Sequence, residues 1–148
     1  MKNQKEVQSD VNHILEVCNE RIEGYMNAAK NVKDVELKSV FEKYAQQTKK
    51  FQQELLPFSD KSSPEEAGTR IIADTWRVWM DMKAALTDGG REAIVNASVT
   101  GEENAIKNYE DELDEEIPMD LRSILEKQLS EIKSAYNHIQ TYSTKSKF

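Results

Sequence analysis

With a single cysteine, Cys18, the chain can form no internal disulfide and no CxxC redox or zinc motif. No apolar run approaches the roughly 20 residues a membrane-spanning helix needs. The opening segment MKNQKEVQSD holds no apolar stretch, so neither a signal peptide nor an anchor is expected. A cytoplasmic location and no membrane partner are the expectation. Basic charge is in deficit: 20 Lys and Arg against 27 Asp and Glu give a net charge of −7 and a pI near 5.0. Such a chain is repelled by phosphate, which removes nucleic acid and anionic lipid from the expected partners. The tail STKSKF is a local basic exception and reads as a frayed end. Only two histidines occur, and E-x-x-H is absent.

The three prolines and three of the five glycines fall in three regions, 57–68, 89–90 and 118, and only Gly24 and Gly101 lie within the long segments between them. Within these segments apolar residues recur at steps of three and four, the signature of amphipathic helices around one core. The first segment, about 5–30, carries Val7, Val11, Ile14, Cys18, Ile22, Tyr25 and Ala29. Asp34 can cap the second, about 35–56, whose stripe is Leu37, Phe41, Tyr44, Thr48, Phe51 and Leu55. After Pro57, the residues Ser63, Pro64 and Glu66 resemble a capping box ahead of a short helix at about 70–86. That helix would bury Ile72, Trp76, Trp79 and Met80 before DGG stops it. A fourth helix, about 91–115, presents Ile94, Ser98, Glu102, Ala105, Tyr109 and Leu113. Pro118 opens the last, about 118–142, with Leu121, Leu125, Gln128, Ile132, Ala135, Tyr136 and Ile139. No strand-like alternation appears.

Connection lengths set the topology. Helices one and two, and the last two, are joined by only a few residues, so each pair is an antiparallel hairpin. About 34 residues separate the hairpins. That connection can return along a helix of roughly 36 to 40 Å at 1.5 Å per residue. The second and fourth helices then run parallel, with the tryptophan helix lying along the crossover.

Bundles that hold a di-iron centre need four inward carboxylates and two imidazoles, supplied by a Glu on each of two helices and a Glu-x-x-His on each of the others. At mid-height the stripes here offer Cys18, Thr48 with Phe51, Glu102, and Ile132 with Ala135 or Leu129. One carboxylate of four remains, and no histidine. Thr48 reads as a small polar filler at a position whose ligand is gone.

The stretches RIEGY (21–25), FEKYAQQ (41–47), RVWMDMKAAL (77–86), GEENAIKNYE (101–110) and the P-x-x-L-R start of the last helix (118–122) carry a resemblance. By these the chain resembles a bacterial family of ferritin-like four-helix bundles catalogued as a domain of unknown function, over nearly its whole length. The resemblance implies a single all-α, ferritin-like bundle with one long crossover bearing a short extra helix. It implies no activity. Cys18 stands seven residues before Tyr25, the spacing ferritin-like proteins show between a ligand Glu and a Tyr. The resemblance also implies contact between Tyr25 and Glu102.

Glu102, central on its stripe, must be paired, hydrogen-bonded or protonated. It is read as a hydrogen-bonded relic of a ligand, bonded to Tyr25, with a weak metal site as the alternative. Cys18, Tyr25, Thr48, Glu102, Tyr109, Gln128 and Tyr136 form the expected buried polar layer. Trp76 and Trp79 are read as core, or as a homo-oligomer interface. The acidic run YEDELDEEIPMD is read as a solvated cap, with loose divalent-cation binding as its alternative. No catalytic residue and no cofactor are expected. Two functions stay open: a non-enzymatic structural or interaction protein, linked by analogy to stress responses, and a metal-dependent redox protein with an atypical site at Glu102.

Overall fold

The computed structural model describes residues 2–69 and 91–143. They form an all-α bundle of four long helices. Helix α1 spans Gln4–Asn31, α2 Val35–Leu55, α3 Arg91–Leu113 and α4 Met119–Gln140. Two 3-10 turns, Leu56–Phe58 and Pro64–Ala67, begin the crossover. The expected tryptophan helix, with Trp76 and Trp79, lies outside the described residues.

Local chemistry explains where the helices start and stop. Asn3 and Glu6 close a reciprocal capping box at the start of α1, Glu6 N–H to Asn3 Oδ1 at 2.9 Å and Asn3 N–H to Glu6 Oε1 at 3.1 Å. Asp34 caps α2 by accepting from the Leu37 N–H at 3.1 Å, and its second oxygen takes Arg91 Nε at 3.2 Å. These bonds, that of Leu37 first, hold the Asp34 carboxyl below its ordinary value. At the end of α3 the acidic run opposes the helix dipole. Arg122 compensates from α4, donating to the Leu113 carbonyl at 2.8 Å and the Glu115 carbonyl at 2.9 Å. At Pro64–Ala67 the Ser63 side chain makes no cap bond; Glu66 instead accepts from the Ser62 N–H at 3.2 Å.

Side-chain pairs give the helix directions. Arg21 and His13 of α1 meet Glu102 and Asn108 of α3, in opposite order along the two chains. Tyr44 and Phe51 of α2 meet His138 and Gln128 of α4 in the same reversed sense. With Arg21 also meeting Thr48, and Tyr109 meeting Gln128, every neighbouring pair is antiparallel. Therefore α2 and α3 run parallel.

The apolar interior is in two parts. One, toward the N-terminus of α1, contains Ile14, Leu15, Phe51, Leu55, Tyr109, Leu121 and Leu125. The other contains Tyr25, Leu37, Phe41, Tyr44, Val95 and Ile139. Between them the helices bury polar side chains.

Candidate functional site

The polar layer is organised by a residue that the stripe of α1 left out. Starting from Cys18, a step of four followed by three reaches Tyr25 through Ile22, and a step of three followed by four reaches it through Arg21. The structure takes the second path: Arg21 is 2% exposed, whereas Ile22 is only half-buried. Placing Ile22 on the inner stripe is thereby corrected.

Arg21 faces Glu102 of α3, which is fully buried. Nε donates to one carboxylate oxygen and Nη2 to the other, both at 2.8 Å. This is the two-armed geometry that suits a planar guanidinium to a planar carboxylate. Nη1 reaches α2, donating to Thr48 Oγ1 at 2.6 Å and Gln47 Oε1 at 3.1 Å. Four bonds thus use four of the five N–H groups a guanidinium owns. The cation also lies over three aromatic rings, 5.2 Å from the Tyr25 centroid, 5.8 Å from Phe51 and 5.9 Å from Tyr44, within cation–π range. Burial alone would favour the neutral guanidine, but the charge and hydrogen bonds of Glu102 outweigh it and hold Arg21 above its ordinary value.

Thr48 is no mere filler. Its hydroxyl accepts from Arg21 and donates to the Tyr44 carbonyl at 2.7 Å, so both of its roles are used in the dry interior. Tyr25 is fully buried in the same layer. Burial first, then the Glu102 carboxylate, raises its phenol well above the ordinary value. Tyr25 lies beside the buried Glu102 as expected, a hydrogen bond to that carboxylate being among the causes that raise its phenol, but the charge of Glu102 is met by Arg21, which the expectation did not name. Ser98, one turn before Glu102, is buried and donates back to the Ile94 carbonyl at 2.9 Å.

A second chain of bonds lies nearer the N-terminus of α1. The Cys18 thiol sits 3.6 Å from the Tyr109 hydroxyl, which donates to Gln128 Oε1 at 2.8 Å. Gln128 then donates to the Phe51 carbonyl at 3.2 Å and to Glu54 at 3.0 Å, joining α4 to α2. Burial pushes the Cys18 thiol up to about 11 and lifts the Tyr109 phenol well above its ordinary value. Tyr136 does not join the layer. It is half-buried and donates to Glu103 at 3.0 Å, while Ala135 takes the inward place at 2% exposure. Both histidines make hydrogen bonds: His13 to Asn108 at 3.0 Å, and His138 Nδ1 to the Tyr44 hydroxyl at 2.7 Å.

A di-iron centre does not fit these residues. Among the described residues Glu102 is the one fully buried carboxylate, and both its oxygens are engaged by a fixed cation that would repel an incoming metal ion. Among the described residues no group of three or more His, Cys, Asp or Glu could hold a metal. Nor, among them, is any helix long and apolar enough to cross a membrane.

No curated protein matches the chain. A family match covers residues 6–115, from the first turn of α1 to just past the end of α3, and includes both Arg21 and Glu102. On that match the chain belongs to the family described as a domain of unknown function, DUF2383.

Proposed function

We propose that the chain is a ferritin-like bundle that acts without catalysis, as a structural or interaction protein, its internal cation being an arginine in place of a di-metal centre. The carrying observation is the Arg21–Glu102 pair: a guanidinium neutralises the buried carboxylate and bridges α1 to both α3 and α2. The parallel course of α2 and α3 supports kinship with the one-crossover ferritin type, which is an argument from fold alone. A place in a bacterial stress response is analogy of the same kind. The test is metal analysis of protein purified without chelator from cells supplemented with iron or manganese. Substoichiometric metal is expected. Two ions per chain with anomalous scattering beside Glu102 would overturn the reading in favour of metal-dependent redox chemistry.

A further inference from the structure

We infer that the end of the bundle holding the N-terminus of α1 is a pH-sensitive clamp, closed by a proton held between Asp10 of α1 and Glu112 of α3 and loosened when that proton leaves. The antiparallel pairing of α1 with α3, with His13 bonded to Asn108, brings Asp10 opposite Glu112. Glu112 is 7% exposed, no donor group meets its buried Oε1, and its side chain is within hydrogen-bonding reach of the Asp10 carboxyl. An ionised carboxylate in that position is costly, whereas a protonated one can donate to its neighbour.

The surrounding charges explain why a proton is needed. Lys2 donates to Asp10 at 2.8 Å and to Glu115 at 2.7 Å, so one ammonium already serves two carboxylates. From α4, Arg122 is committed to the Leu113 and Glu115 carbonyls. The 3-10 turn Leu56–Phe58 carries no charge. A third negative charge at Glu112 therefore lacks a cation of its own. Burial first, and then Asp10, raises the Glu112 carboxyl to about 7. Lys2 also lines a cavity of about 300 Å³ with Val7, Pro57, Phe58 and Pro118.

Hydrogen exchange on the full chain at pH 6 and pH 8, corrected for intrinsic exchange, tests this. A group half-titrated near 7 changes the local opening equilibrium by about tenfold over that interval. Protection in the first turns of α1 and the last turn of α3 should therefore fall about tenfold, while amides around Arg21 and Thr48 stay unchanged. Glu112→Gln, which imitates the protonated form, should abolish the difference and keep the pH 6 protection at pH 8. An equal pH response in the variant, or a response spread evenly along all four helices, would overturn the inference. A carboxyl NMR titration of the unmodified chain needs no variant: a Glu112 midpoint in the ordinary carboxylate range would also overturn it.

Discussion

Arg21 and Glu102 meet across α1 and α3 with two parallel bonds of 2.8 Å, at 2% and 0% side-chain exposure. Such a pair need not add net stability, because removing two charges from water costs several kcal/mol per ion, which their attraction repays only in good geometry. Breaking it is a different matter. Arg21→Met or Glu102→Leu alone should destabilise the fold by about 3–5 kcal/mol, since each leaves one buried charge without its partner. The double replacement should lie between neutral and about 4 kcal/mol stabilising. Urea denaturation of the four proteins closes the cycle, and additive single effects would show that the two side chains do not act as a unit.

Thr48→Val tests the third corner of the layer. The valine fills nearly the same volume but leaves Arg21 Nη1 without the acceptor now at 2.6 Å. A loss of about 1–3 kcal/mol is expected from urea midpoints at unchanged slope.

Cys18 should be unreactive in the folded chain. It is 2% exposed, and burial raises its thiol to about 11, so little thiolate exists at neutral pH and reagent cannot reach it. A thiol-reactive chromophore at pH 8 should label it only in denaturant. Fast stoichiometric labelling of native protein would refute this.

Global stability should carry the mark of Glu112. Its folded-state carboxyl is raised from 4.5 to about 7, so the folded chain binds more protons than the unfolded one between those values. The associated stabilisation is complete below about 4.5 and is lost as pH rises through about 7, at most roughly 3 kcal/mol. Measured against Glu112→Gln, the unmodified chain should lose melting temperature from pH 5 to pH 8, and a parallel dependence in the two would argue against it.

Breaker positions and apolar spacing were enough to establish an all-α bundle from the sequence, because those features act locally: a helix needs a stripe, a cap and a stop. The positions that carry the polar chemistry were harder to see. On α1 both Arg21 and Ile22 lie within one turn of Cys18 and of Tyr25, and on α3 both Glu112 and Leu113 lie within one turn of Tyr109. Hydropathy selects Ile22 and Leu113; the fold buries Arg21 and Glu112 and leaves the apolar neighbours half-buried. A signal for Arg21 did exist, since Glu102 on an apolar stripe demands a counter-charge. Sequence periodicity cannot say which helix supplies it. Only when α1, α2 and α3 are brought together do the carboxylate of Glu102 and the hydroxyl of Thr48 converge on one guanidinium. A buried charge is tolerable only through partners distant in sequence, so the helices belong to the sequence and the ion pair at their centre to the tertiary structure.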